Sequence, residues 1–566
     1  MLFGIGTLDL IVIIAYLVGI VGLGCWVGLR HRRQGGESKD YFLAGGSLTW
    51  PVIGLALFST NISTIHLVSL AQEGYANGLA FGNFELMAGF TLMLLALFFA
   101  PFYIRSRVAT LPDFLERRYS RASRDWLAFV SIISAIFIHI GFTLYTAALV
   151  MHGLLNIPDE YLLWTIIAIA GMTALYTVIG GLIAVVTTEA IQTIVLLVGA
   201  ICVTVIAMSE IGGWSEMREA LDAHGELTKL TMLRSADDPA GLPWYAVFLG
   251  YPVIGIWYWC TDQTIVQRVL GAKNEDHARV GALFAGFIKI LPVFILVLPG
   301  LMCYVLVLQG AFDGTAPAAS KDAYSFMIEQ LMPSGLRGVV VAALLAAAMS
   351  TVSGALNSVA TLFSYDLFAR WMPDTKEQAL VRLGRCVTVV GMIIAVSWSP
   401  FIARFESIFA VMATMVCYLA PPITATFLLG VFWKGASSRG SITTLMVGFV
   451  AGLFAFLVNL SARDTMQNLH WLHDGLIRAL GAGAFADQVV NMHWMVASFY
   501  LCVFCLVLHI AVSLRTPEAL TETKAALVWR HPFDALRSPG WKGLGNYRVL
   551  SALLLIALVV VYALLG

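Results

Sequence analysis

The stretch Ser59-Thr60-Asn61-Ile62-Ser63-Thr64-Ile65-His66 places six hydrogen-bonding side chains inside an apolar run. In lipid such groups cost free energy unless they are paired or solvated, so they mark either a cavity or helix packing. Glu85, in GNFELMAGF, and Lys289, in GFIKILPVF, raise the stakes. Each charge, isolated at a bilayer centre, costs about 3 kcal/mol. They either pair and lock two helices or face a polar ligand. WYWCTDQTIVQR (Trp257 to Arg268) sets three aromatics beside Asp262 and Gln263, and Ser350 and Thr351 add adjacent hydroxyls within LLAAAMSTVSGALNS. The aromatics fit either an interfacial belt or a cavity wall.

The elements that must carry these residues are membrane helices. Of 566 residues, 59% are hydrophobic and 12% charged, about half the charged share of a soluble domain. Apolar runs of helix-spanning length recur along the whole chain, without strand alternation. Fourteen candidate spans are expected, at roughly 8–29, 48–74, 80–104, 125–154, 161–179, 182–208, 243–267, 275–308, 336–369, 380–398, 404–432, 441–460, 489–513 and 548–565. The first is not a cleaved signal, because Arg30-His31-Arg32-Arg33 follows the apolar stretch.

Charge sets orientation. Loops 30–47, 105–124, 268–279, 370–385, 433–440 and 514–548 hold 25 of the 34 Lys and Arg. Placing them in the cytoplasm puts both termini outside a plasma or inner membrane. The balance of 34 basic and 34 acidic residues suggests no nucleic-acid role. No cysteine pair has metal-ligand spacing, and Cys502 and Cys505 read as packing residues. There is no nucleophile–base pair, phosphate loop or His-rich motif, so neither an enzyme nor an organic cofactor is expected.

At these residues the chain resembles the sodium:solute symporter family, in its sodium/glucose cotransporter branch. GGLIAVVTTEAIQ (Gly180 to Gln192), WYWCTDQTIVQR, NISTIH, GYANGLAFGNFE, FIKILPVFILVLPG, ALNSVATLFSYDL and PPITATFLLGVFWK carry the likeness, from about Tyr41 to Lys434. The resemblance implies an all-α fold with a LeuT-like core of two inverted five-helix repeats. Residues 1–47 form a flanking helix and loop, 48–208 repeat one, 209–242 an external loop, 243–432 repeat two, and 433–566 the remaining helices with loop 514–548. The first helix of each repeat would be broken near the midplane, at STNISTIH and around Gly255 to Trp259, freeing carbonyls to bind ion and solute.

The resemblance also implies site residues. Sodium would be held by the carbonyls of Ser59, Ile62 and Ala347 and the hydroxyls of Ser350 and Thr351; oxygen ligands suit a hard cation. Glu189 would relay the ion toward the cytoplasm. His66, Glu85, Lys289, Tyr258 and Trp259 would meet the solute, with Asn61 bridging ion and solute, and Leu70, Tyr258 and Phe409 gating the pocket. Ala413, Ala88 and Gly255 stand where sugar transporters carry polar groups, and each unpaired hexose hydroxyl costs about 1–3 kcal/mol, so another sugar or a cyclitol is expected rather than glucose. A second sodium site in some relatives uses two adjacent hydroxyls; here Ser353 is followed by Gly354, which favours one sodium per solute. The expected activity is sodium-driven import of a sugar or polyol by alternating access. The alternatives are a symporter for a carboxylate or amino acid, with Lys289 receiving the carboxylate, and a solute sensor that does not transport.

Overall fold

In the computed structural model the described residues are 6–33, 38–238, 240–405, 408–462 and 492–566, with 475 and 478 between the last two. Most of the expected external segment 461–488 therefore lies outside the described residues. Among them the chain is helical, with two isolated β-bridges and no named strand. Among the described residues, eleven stretches of helix are long and apolar enough to cross a membrane.

The fourteen expected spans differ from these eleven at three places. The second half of 48–74 runs on into 80–104, as Thr64–Ser106. The spans 161–179 and 182–208 merge into Asp159–Ile211, kinked where Gly181 takes φ +59°, a left-handed conformation that glycine adopts without steric cost. The span 243–267 is split into pieces too short to count.

The helices that position the site are α1 (Thr7–Arg33), α2 (Trp50–Asn61), α3 (Thr64–Asn77), α4 (Asn83–Leu94), α5 (Phe142–Leu155), α6 (Leu162–Ile211), α7 (Trp244–Ile256), α8 (Gln263–Leu270), α9 (Glu275–Ile288), α10 (Leu336–Thr361), α11 (Ile408–Phe432), α12 (Trp494–Arg515) and α13 (Tyr547–Leu565). α10 lies at the centre: its most apolar stretch is 94% buried, against 17% for α1 and α13. Small residues from Ala346 to Ala348 let neighbouring helices pack closely on α10, and Gly354 leaves room for the side chains of Arg268, Glu189 and Thr60. The flanking helices α1 and α13 instead expose Leu8, Ile11, Val18, Ile556 and Val559, the face a helix offers to lipid.

Two helix pairs are interrupted. α2 ends at Asn61, Ile62 and Ser63 are extended (ψ 102° and 174°), and α3 begins at Thr64. The break falls inside STNISTIH, as expected. α7 continues through a π-helical turn, Trp257–Thr261, and breaks at Asp262 (φ −84°, ψ 126°) before α8. This corrects the expected position around Gly255 to Trp259. Gly255 is helical, and its missing side chain serves packing: a Cβ there would meet Tyr251 at 2.7 Å and Thr91 at 2.8 Å. Asp262 is suited to the break because its carboxylate accepts from Thr264 N at 2.7 Å and caps α8. The segments flanking the two broken helices also meet through backbone: Leu48 N, before α2, donates to Gly271 O, after α8, and Lys273 N donates to Leu48 O, at 3.0 and 2.9 Å.

Candidate functional site

A cavity of about 150 Å³ opens at the α2–α3 break. Asn61, Ser63 and His66 line it from the break, with Glu85 from α4, Tyr258 and Trp259 from the π-helical turn, Lys289 from the end of α9 and Thr351 from α10. All six expected solute residues are thus brought together.

Lys289 is 1% exposed and Glu85 3%. The ammonium donates to Glu85 in a short ion pair, and to Asn61 Oδ1 at 2.6 Å. The two readings of these charges are both met: they pair, and they face the cavity. Glu85 is therefore not an unpaired acid awaiting a ligand. A charge taken out of water is tolerated when its partner is adjacent and hydrogen-bonded. Lys289 Nζ also lies 5.6 Å from the Trp259 ring centroid, within cation–π range.

His66 has a second task. Its Nδ1 faces Ser63 N at 3.3 Å and Ser63 Oγ at 3.1 Å, across the start of α3. A backbone N–H can only donate, so Nδ1 is the acceptor and the ring proton sits on Nε2. His66 thus caps the helix with one nitrogen and keeps a donor on the other.

Beside the cavity, α10 supplies the hydroxyls. Ser350 Oγ donates to Ser59 O at 2.8 Å and lies 3.1 Å from Ala347 O. Thr351 Oγ1 donates to Thr60 O at 3.0 Å. The Ser59 and Thr60 carbonyls belong to the last turn of α2, where no following helical N–H claims them. Four of the five expected ion ligands, Ser59, Ala347, Ser350 and Thr351, fall within this arrangement. Ile62 supplies the extended residue of the break.

Glu189 is fully buried and held on three sides. Arg268 reaches it at 2.5 and 3.2 Å, and Thr60 Oγ1 donates at 2.9 Å. Arg268 was counted among loop charges; it is instead 0% exposed within α8. The break at Asp262 carries α8 inward, and Glu189 supplies the counter-charge. Gly354 makes room for the pair: a Cβ there would lie 2.4 Å from the Arg268 guanidinium.

Of the positions expected to be gates, Tyr258 lines the cavity, while Leu70 is buried a turn beyond His66 and does not. The side chain of Phe409 lies outside the described residues. An apolar cluster of Ile65, Phe142, Tyr145, Ile402, Phe405 and Val411 borders the cavity through Ile65, with the rings of Phe142 and Phe405 stacked at 6.3 Å. Ala413 and Gly255 line the cavity and Ala88 does not.

Sequence reasoning missed three contributors. His139 lines the cavity with Nε2 3.6 Å from Asp262 Oδ2; a histidine midway along the apolar span 125–154 is its only signal in the sequence. Phe84 stacks on Trp494 at 6.0 Å and both line the cavity. Trp494 sits at the start of α12, beyond residues 48–432, where an aromatic reads as interfacial belt.

The sequence profile of the sodium:solute symporter family matches residues 41–448. This chain belongs to that family. Among its relatives, sodium/myo-inositol cotransporter 2 of Oryctolagus cuniculus is 32% identical over 83% of this chain and 74% of its own length. Sodium/glucose cotransporter 1 of Ovis aries is 31% identical over 92% and 80%. The fold agrees: the substrate-bound, outward-open structure of a Na⁺-coupled sialic acid symporter superposes with a TM-score of 0.74 at 19% identity, covering 90% of this chain and 98% of that one. A nucleobase–cation symporter in a closed conformation gives 0.51 at 12% identity, over 86% and 97%. The chain is a sodium:solute symporter with a LeuT-type fold, and its family is one of transporters rather than enzymes.

Proposed function

We propose that this symporter couples one sodium ion to the import of a neutral sugar or polyol, with a cyclitol such as myo-inositol favoured over glucose. The observation that carries the reading is the Lys289–Glu85–Asn61 ladder on one side of a cavity with Trp259 and Tyr258 on another. Hydroxyls need mixed donors and acceptors, and ring C–H faces need aromatic cover. The matched Lys289–Glu85 pair supports a neutral solute over a carboxylate, which would have to displace Glu85 from the ammonium. The relatives named for myo-inositol and glucose support the same class.

The ion would sit at the end of α2, on the Ser59, Ile62 and Ala347 carbonyls and the Ser350 and Thr351 hydroxyls. The Ser350 hydroxyl already reaches the Ser59 and Ala347 oxygens and that of Thr351 the neighbouring Thr60 oxygen, so an ion there would replace weak internal hydrogen bonds. Arg268 occupies the space beside Ser353 where a second hydroxyl would stand, which supports a single ion. Glu189, one residue contact from Thr60, would guide that ion onward. Sodium bound across α2 and α10 would pre-order the cavity, which is differential affinity between states. One charge moving through ~100 mV supplies about 2.3 kcal/mol. A tenfold sodium gradient adds about 1.4 kcal/mol, enough together for a several-hundred-fold solute gradient.

Residues 48–208 and 243–432 would be the inverted repeats that rock about this site, with both termini extracytoplasmic. The deciding experiment is uptake into sealed proteoliposomes of myo-inositol, hexoses, amino acids and carboxylates, with and without a sodium gradient. Sodium-dependent accumulation of a polyol or sugar alone is expected; uptake restricted to a carboxylate or amino acid would reject the reading.

A further inference from the structure

The last membrane helix fixes the height of the segment that precedes it. α13 has 19 residues, which make about 28 Å of helix at 1.5 Å per residue. A hydrocarbon core is about 30 Å thick, so α13 has no length to spare and its first residue, Tyr547, enters at the headgroup boundary. The preceding chain is tied to that first turn. Tyr547 Oη shares its proton between Ala535 O at 3.1 Å and Ser538 O at 3.0 Å. Arg548 donates to Leu536 O and, at 2.8 Å, to Ser538 O. Asn546 Nδ2 donates to Trp541 O at 2.6 Å. Two contacts fasten the same segment to the rest of the bundle: Arg105 donates to Ser538 Oγ at 2.8 Å, and the Trp541 ring meets His277 edge-on at 4.9 Å. Residues 535–541 are therefore held at the level where α13 meets the headgroups.

What this anchored segment leaves uncovered is apolar and basic. Phe533 is 72% exposed, Leu544 78% and Leu536 37%. A single exposed apolar side chain is ordinary, but several on one fixed segment with a polar rim mark a contact surface. Arg530, Arg537, Lys542 and Arg548 are exposed beside them. Few acids answer these cations. Asp534 faces Arg537 at 3.5 Å, and Asp276 borders Gly540. Glu275 is already shared by Arg105 and Arg279, at 2.8 Å from each. The balance of charge around the segment is positive.

We propose that residues 530–544 bind anionic phospholipid in the leaflet on the Arg-rich side. Phe533 and Leu544 enter the acyl boundary, and Arg530, Arg537 and Lys542 take lipid phosphates. Apolar side chains below the headgroups with basic side chains at phosphate level are what an interfacial segment requires. A soluble partner does not suit the place, because its surface would have to reach headgroup depth beside α13. Each basic side chain near an anionic surface raises binding about fivefold, so three together are worth about a hundredfold. The proposal goes beyond the transport reading and does not depend on the solute.

The test is electron paramagnetic resonance of a nitroxide on Leu544→Cys, in a background lacking exposed cysteine, with one purified chain per nanodisc. Collision rates with oxygen and with a nickel chelate give the depth of the label. In discs of mixed phosphatidylglycerol and phosphatidylcholine the label is expected below the phosphates. Combining Arg530→Gln, Arg537→Gln and Lys542→Gln is expected to move it into water. Discs of phosphatidylcholine alone are expected to do the same, and that arm alters none of the three basic residues, so it does not depend on how the triple variant folds. A label in water in the anionic discs overturns the proposal and leaves the patch to a soluble partner. A label equally deep in phosphatidylcholine also overturns it, since the insertion would then owe nothing to lipid charge. Either result leaves the proposed function standing.

Discussion

Thr60 donates its hydroxyl to Glu189 at 2.9 Å while its carbonyl accepts from Thr351 at 3.0 Å. One residue of the broken helix therefore joins the buried Glu189–Arg268 pair to α10, which carries the hydroxyls of the ion region. Removing one partner of a buried pair strands a charge, at about 3–5 kcal/mol. Arg268→Ala is expected to lower thermal stability in detergent by that order, and Arg268→Met with Glu189→Gln to recover most of it, as read by fluorescence-detected size exclusion. Equal stability of single and double variants would show that the pair contributes no such coupling.

Ser350 bridges Ser59 and Ala347. Ser350→Ala deletes one oxygen from the ion region and leaves the cavity lining intact, since Ser350 does not line it. A hydrogen-bonding group of this kind is worth about 0.5–1.5 kcal/mol. The sodium concentration for half-maximal uptake should rise about three- to tenfold, with solute affinity at saturating sodium unchanged. Initial uptake rates against sodium concentration measure this, and an unaltered sodium dependence would remove Ser350 from the ion site.

Glu85 and Lys289 act as one unit, so their variants should not add. Glu85→Ala and Lys289→Ala are each expected to raise the solute KM at least tenfold, and the double variant no further than the worse single one. Sodium binding, followed by scintillation proximity with ²²Na⁺, should survive Glu85→Ala. Additive losses would mean that each group meets the solute separately.

Orientation is open to a direct check. Asp374 is exposed in the Arg-rich loop 370–385. Asp374→Cys in a background lacking exposed cysteine should react with a membrane-impermeant maleimide in inside-out vesicles and resist it in right-side-out ones. The reverse pattern would invert the topology.

Much of this was legible in residues alone. The interruption of the first broken helix was visible because polar residues crowd an apolar span, where a regular helix leaves no reason for them. The second break was misplaced by several residues. Aromatics and glycine at Gly255 to Trp259 look like a loosened helix, but they wind as helix and π turn, and Asp262 caps the new start. The polar cavity residues were found from their cost in lipid. His139, Trp494 and Arg268 were not, because a histidine within a span, an interfacial tryptophan and a flanking arginine each have an ordinary explanation until their neighbours are known.

Composition and apolar run length alone determined that this chain is a helical membrane protein, because solvent is the strongest constraint on a backbone that must satisfy its own hydrogen bonds. Motif order determined the family. What only tertiary structure decided is which charge answers which: Lys289 with Glu85, 204 residues apart, and Arg268 with Glu189, 79 apart. Electrostatic pairing depends on distance in space, and no spacing along the chain encodes that until helices pack.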